Sequence, residues 1–314
     1  MGWDAQSTAD GVWGRPRLLA TLAAGIVAAL VFVLGLGLAL FYGLRPRPGS
    51  GADAAPAQVA ATKADAAGTG PTHRDQVAAQ PMLPVAPEDA RAGVPAALAG
   101  PVIEVPVATG SGPAQVATGF PRTPEGAVGQ LAAIETTVLQ GMSIPQGNQV
   151  YDRWALPGGV GVANWALTKN VQNFLASAGQ GQNKDVTVAV TATPAAAQVK
   201  GTDGADWVLA CVLLDVRATI TVEARIGYGY CEPMQWHPSS GGAEKKAGGR
   251  WMIAPGAPAA PAPSTWPGTD LAFKAGWRTW VTSDPTSTHP TSTHPTNTHP
   301  TSTNPAGSNG SGTR

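Results

Sequence analysis

The chain is short of the residues on which most enzyme chemistry depends. It has two cysteines and five histidines in 314 residues. Two cysteines are too few for a disulfide-dense secreted scaffold. His289, His294 and His299 recur in a terminal repeat, which leaves little imidazole for a metal site or a general base. Charge is scarce too: 13% of residues are charged, and 20 basic side chains balance 20 acidic ones. A net charge of zero argues against a dedicated nucleic-acid binder, which carries a basic excess. The chain also lacks the Gly-x-x-x-x-Gly-Lys-Ser/Thr phosphate loop, the His-Glu-x-x-His zinc motif and a dinucleotide fingerprint. No Ser-His-Asp order is evident. Gly227 and Gly229 fall in a strand-like stretch, so they do not form a phosphate loop.

What is abundant is glycine and proline, 39 and 29 respectively. Length alone suggests about two domains. Much of the Gly and Pro lies in stretches with little to pack, which lowers the expectation to one. One long uncharged run occurs, residues 18–44, between Arg17 and Arg45. As a helix it reaches roughly 40 Å, enough to cross a hydrocarbon core of about 30 Å. Phe41 and Tyr42 near its end suit the interface. A cleaved signal peptide has a shorter apolar core and a small-residue cleavage site, whereas Arg45, Pro46, Arg47 and Pro48 follow this one. The run is therefore read as a transmembrane helix preceded by a short N-terminus, 1–17. Arg15 and Arg17 before the span balance Arg45 and Arg47 after it, so flanking charge leaves the orientation open.

Residues 45–118 are rich in Ala, Pro, Gly and Thr, with no aromatic residue. Such a stretch buries too little apolar surface to offset its ordering, and it is predicted to be a disordered, semi-extended linker. A strand-like patch at 101–107 is read as part of that linker. The tail, 284–314, repeats the unit PTSTH with small variations and then runs into Gly, Ser and Asn. It contains no core-forming residue and is predicted to be a disordered stalk or linker.

Between these lies a segment, 119–283, with the patterning of a folded domain. Thr123, Pro124 and Glu125 form a helix start: a capping hydroxyl, a proline in the first turn and an acid favoured by the dipole. Val128, Leu131, Glu135, Val138 and Met142 follow at helical spacing. Further helices are predicted at 145–155 and 164–178. Strands are predicted at 186–193, 197–200, 207–222, 225–236 and 250–253. Along 207–222 the even positions form a continuous apolar face and the odd ones a mixed face. A last helix is predicted at 269–281, with Phe273, Trp277 and Trp280 on one side. Helices first and a curved antiparallel sheet after them make an α+β domain.

Cys211 and Cys231 are equidistant from Thr221. A hairpin centred there brings them opposite one another, within disulfide reach. The same register sets Arg217 against Arg225, a repulsion that a solvent-facing edge or a bulge would relieve. Two buried thiols are the alternative. The disulfide is the expectation taken, and it implies an oxidising compartment. Asp215, Arg217, Glu223 and Arg225 are read as charges on an outer sheet face, and His237 as a loop residue. The tryptophans (Trp154, Trp165, Trp207, Trp236, Trp251, Trp266, Trp277 and Trp280) are read as core or interface material.

The stretches RTPEGA at 122–127, DWVLACV at 206–212, GRWMIAPG at 249–256 and STWPGTD at 264–270 resemble membrane proteins of high-GC actinobacteria. The order of span, Pro/Ala linker, helices and curved sheet resembles the bitopic assembly subunits of type IV secretion and conjugation systems. The resemblance covers about 15–45 and 119–282 and leaves out the His-containing tail. It implies a nuclear-transport-factor-2-like, or cystatin-like, outer domain and an N-terminus inside. It also implies a single-pass scaffold at the cell membrane, not an enzyme, with other secretion-channel subunits or a second copy as partners. No cofactor, metal or direct nucleic-acid partner is expected. Two alternatives stand beside it. One is a cone-shaped domain that binds a small ligand or acts as an isomerase, with Tyr151, Asp152 and Tyr228 the first residues to inspect. The other is a cell-envelope stalk glycosylated on its tail.

Overall fold

A computed structural model describes residues 69–220, 222–238 and 248–283. The apolar run at 18–44, the linker up to 68 and the tail from 284 lie outside the described residues. No helix among the described residues is long and apolar enough to cross a membrane.

The described chain is α+β. A six-stranded, curled sheet has the order β1-β8-β4-β5-β6-β7. Its strands are β1 (Val102–Pro106), β4 (Ala189–Asp203), β5 (Trp207–Thr219), β6 (Glu223–Pro238), β7 (Gly249–Ile253) and β8 (Arg278–Ser283). A small ladder joins β2 (Gly110–Ser111) to β3 (Ala117–Thr118). The helices are α1 (Pro71–Ala79), α2 (Pro124–Gly141), α3 (Ile144–Trp154), α4 (Ala166–Ser177) and the short α5 (Asp270–Lys274). Neighbouring strands of the large sheet run antiparallel, except that β1 runs parallel to β8.

Helix α2 begins where its sequence directs. Thr123 accepts a hydrogen bond from the Gly126 amide at 3.0 Å, Pro124 takes the first turn, and Met142 ends the helix in a left-handed conformation. Ala127, Val128, Leu131, Ile134 and Val138 are buried in the main core. There they meet the even positions of β5, from Val208 to Val216. Burying each of the Val, Leu and Ile side chains stabilises the fold by about 1.5–3 kcal/mol.

The odd positions of β5 from Trp207 to Leu213 are buried too, and only its end, at Arg217 and Thr219, faces solvent. Trp207 and Leu209 sit in one small cluster, and Cys211 and Leu213 in another with Ala272, Ala275 and Trp277. The cover is made by two Ala/Pro-rich stretches, which bring Met82, Leu83, Ala259 and Ala262 onto that side. Glycine permits the closest approach. A Cβ at Gly227 would lie 2.0 Å from the Thr265 carbonyl oxygen, and one at Gly229 would lie 2.6 Å from that of Pro263. The covering chain is then pinned by Ser264, whose hydroxyl accepts from the Gly229 amide at 3.1 Å. The Trp277 indole donates to the Pro263 carbonyl at 3.0 Å.

This cover corrects the expectation of a disordered linker through 118. From residue 71 the chain contains α1, a 3-10 turn at Pro87–Ala90, β1, β2, a 3-10 turn at Pro113–Gln115 and β3. Its composition gives it no core of its own. It orders by contributing Ala78, Ala90, Ile103, Val105 and Val116 to surfaces that the rest of the domain supplies. Arg74 on α1 pairs with Asp203 at the end of β4 at 2.5 Å. The patch read as linker at 101–107 is β1 itself, with Ile103 and Val105 turned inward.

Two further readings change. The strands expected at 186–193 and 197–200 are one 15-residue strand, β4, with register shifts at Pro194/Ala196 and Val199/Gly201. Pro194 has no amide to donate, and an irregular register accommodates it. The helix expected at 269–281 lasts from Asp270 to Lys274. Gly276, at φ 93°, then turns the chain into β8. Trp277 packs in the outer cluster, while Trp280 packs against the main core. The spacing of the aromatics mimicked a helical stripe across two different elements.

Candidate functional site

The polar interior lies between α2, α4 and β6. Glu135 occupies the fourth turn of α2, with Leu131, Ala132, Val138 and Leu139 one turn away on either side. It is 0% exposed. Neither of its carboxyl oxygens has a hydrogen-bond partner among the described residues. From β6, Tyr228, Tyr230 and Glu232 project to one side at the strand's two-residue period. The two phenol rings stack with centroids 6.3 Å apart. Glu232 is buried and accepts from the Trp165 indole at 3.0 Å and from the Tyr230 hydroxyl. Trp165 precedes α4, and Asn170 on that helix donates to the Tyr228 hydroxyl oxygen at 2.7 Å. Tyr228, Tyr230 and Asn170 retain partial exposure, so the cluster reaches from the core towards solvent.

Burial governs the protonation of this group. It lifts the Glu135 carboxyl well above the usual carboxylate range, and the nearby Glu232 charge lifts it further. Burial pushes Glu232 up to about 7 against the pull of its Tyr230 and Trp165 donors. Burial also raises Tyr228, with Glu135 adding to the effect, and raises Tyr230, with Glu232 adding to it. The interior therefore holds two carboxyls whose protonated forms are favoured by burial, beside two neutral phenols. Such a set can hold a proton or a polar guest.

The residues singled out from the sequence divide. Tyr228 belongs to the cluster. Tyr151 does not: its hydroxyl accepts from the Gly161 amide at 2.9 Å, and its ring leans on Trp165 at 5.2 Å. Asp152 is exposed, and His237 is exposed near the end of β6. Sequence reasoning put Glu135 on a helix face without marking it as a site residue, and it missed Tyr230, Glu232 and Asn170. Two signals were available: one acid in an otherwise apolar helical stripe, and Tyr-x-Tyr-x-Glu at strand period.

On the opposite side of the sheet the structure joins Cys211 to Cys231, with Cα atoms 4.0 Å apart. The register does set Arg217 against Arg225. Both arginines face solvent, though their strands are not at the sheet edge, and Asp215 lies between them. Arg225 donates to it through two nitrogens, each at 2.6 Å, and Arg217 donates at 3.3 Å. Arg225 also lies 4.4 Å over the Trp266 ring. Burial pushes the Asp215 carboxyl up, and the two arginines outweigh it and hold it below its ordinary value. Replacing Asp215 with Asn is expected to cost about 1 kcal/mol, since the two arginines then face each other with no acid between them. A urea denaturation midpoint measures it; an unchanged midpoint would mean that the arginines simply turn to solvent.

Comparison of the chain with family models, with curated proteins and with solved structures finds no match.

Proposed function

We propose that the chain is a membrane-anchored docking subunit of a conjugative-transfer or type IV secretion-like apparatus. Its α+β domain stands outside the cell membrane as a nuclear-transport-factor-2-like scaffold without catalysis, and binds other channel subunits or a second copy. The observation that carries the reading is the Cys211–Cys231 bridge, which ties the two central strands within a well-covered part of the fold. A structural disulfide of this kind belongs to a chain that folds in an oxidising compartment. The apolar run at 18–44 supplies the anchor, and the four sequence stretches that resemble conjugation-associated membrane proteins supply the setting. The test labels intact cells with a membrane-impermeant maleimide, with and without an external reductant. Labelling that requires external reduction is expected. Thiols that react only after lysis would place the domain in the cytoplasm and end the secretion reading. Crosslinking in native membranes then asks for partners; recovery of no envelope subunit and no dimer would count against docking.

A second reading is favoured by one observation, the unpartnered Glu135 carboxyl inside the domain. A buried polar group without partners is costly, and native interiors leave few of them. A small ligand held between α2, α4 and β6 would supply the missing hydrogen bonds.

A further inference from the structure

We infer that the end of the sheet formed by the β5–β6 hairpin tip and the turn before β4 is a second membrane contact. It dips aliphatic side chains into the same bilayer that holds the apolar run at 18–44. The inference rests on the reading of that run as an anchor, and adds which part of the domain meets the lipid.

The two loops lie together. Ala189 at the start of β4 pairs with Thr219 at the end of β5, and Ala218 pairs with Ala224 across the hairpin. The hairpin tip and the turn at 185–188 therefore leave the sheet side by side. Val186 is 98% exposed, Val222 67% and Ile220 39%. Val186 and Thr187 in one loop, and Thr219, Ile220, Thr221 and Val222 in the other, are all β-branched and uncharged. The charged groups behind them are already partnered. Arg217 lies 3.3 Å from Asp215 and 3.9 Å from Glu223, and Arg225 lies 2.6 Å from Asp215. In the turn, the Thr187 amide and hydroxyl donate to the Asp185 carboxylate, each at 2.9 Å. The Lys184 ammonium donates to the Val188 carbonyl at 3.2 Å. The tip thus enters a headgroup layer without stripping water from a lone charge, and the charges behind it limit the depth.

The length of the intervening chain permits the contact. The Gly70 amide donates to Asp203 at 3.0 Å, so the chain enters beside the far end of β4. That strand has 15 residues, which sets the tip about 45 Å from the entry point. Residues 45–68 reach at most about 80 Å when extended, enough to lay the sheet end against the anchoring bilayer. The anchor makes the encounter intramolecular, so a small aliphatic patch suffices. A protein partner fits less well. A specific protein interface buries more than about 1,000 Å² and is anchored by Trp, Tyr or Arg. The tip offers Val, Ile and Thr on two narrow turns.

The test reconstitutes the full-length chain, with its bridge closed, in phosphatidylcholine vesicles. Val222→Cys, Val186→Cys and, as a control, Leu98→Cys each take an environment-sensitive dye on the added thiol. Leu98 is 83% exposed and precedes β1, which runs towards the tip, so it stands away from the patch. Lipids with a nitroxide high in the acyl chain are expected to quench the dye at 222 and 186 but not at 98, equally at low and high salt. Val222→Ser should lower the ratio of docked to undocked chain roughly tenfold, read as lost quenching at 186. Carbonate extraction of the same vesicles reads the anchor by itself. A chain that stays in the bilayer with no quenching at 222 and 186 overturns the tip contact and leaves the anchor standing. A chain that washes out overturns both. Quenching that needs anionic lipid, or that is equal at all three sites, overturns the aliphatic tip as its cause. Dye-to-dye quenching at 222 in place of lipid quenching assigns the tip to a second copy and likewise overturns the lipid contact.

Discussion

Reduction of the Cys211–Cys231 bridge is expected to cost about 3 kcal/mol of stability, the loop-closure value for a bridge across some 20 residues. The loop is one hairpin, β5 and β6, so the bridge removes freedom from an unfolded chain that must otherwise find a long register from the tip inward. Its surroundings add to the loss. Cys211 and Cys231 pack with Leu213, Ala196 and Trp277, and the Cys231 sulfur lies 3.6 Å from that of Met82. Opening the bridge therefore loosens the cover as well as the hairpin. The measurement is a thermal and urea unfolding series on the full chain, oxidised and reduced, beside the double variant Cys211→Ala with Cys231→Ala. A Tm lower by roughly 10 °C is expected for a domain of this size. Coincident curves for the oxidised and reduced chains would show that the register holds without the covalent link. They would also weaken the disulfide as the sign of an oxidising compartment.

The same hairpin shows how far the sequence could be read. Its register followed from the two cysteines, which stand equidistant from Thr221 and face each other across the ladder; alternation gave the faces, since a slip of one residue would move every side chain of β5 to the other one. The start of α2 was legible from Thr123 and Pro124, since capping is local chemistry. What escaped was whatever depends on a distant partner. Ile103 and Val105 in β1 have no visible reason to order until β8 and α2 stand beside them. The odd face of β5 looked mixed because nothing in 207–219 announces that residues 80–101 and 254–277 will lie over it. Arg217 and Arg225 looked like a conflict because the residue that reconciles them, Asp215, is diagonal to the pair and not opposite it. The interior cluster failed to surface for a similar reason. Glu135 and Glu232 are 97 positions apart in the sequence. Each alone has an ordinary explanation, one as a helix surface residue and the other as a strand-edge charge.

The largest pH effect should come from those two acids, and its sign is opposite to that of the surface ion pairs. Glu232 titrates at 4.5 in a free chain and at about 7 here. The folded state thus keeps a proton that the unfolded state releases. Its contribution to stability is complete below pH 4.5 and is lost as the pH rises through about 7. A shift of this size corresponds to roughly 3 kcal/mol between acid and mildly alkaline pH. Glu135, whose carboxyl burial also raises, adds to the decline. Asp215 acts in the other direction. The arginines hold its pKa down, so its contribution is present above 3.8 and is lost as the pH falls below that value. Stability should accordingly peak in mild acid, near pH 5, and fall steadily towards pH 8. Urea midpoints at one-unit intervals across that range test it; a midpoint that rises from pH 5 to pH 8 would mean the carboxyls are solvated in the folded protein. Glu232→Gln should flatten the limb between pH 4.5 and 7. It should also bring the Glu135 limb to lower pH, because the charge that helps to raise Glu135 is gone while its burial remains. Glu135→Gln should leave the Glu232 limb in place and remove the Glu135 share of the decline. The asymmetry follows because Glu232 acts on Glu135 as a charge, whereas Glu135 does not act on Glu232 as one.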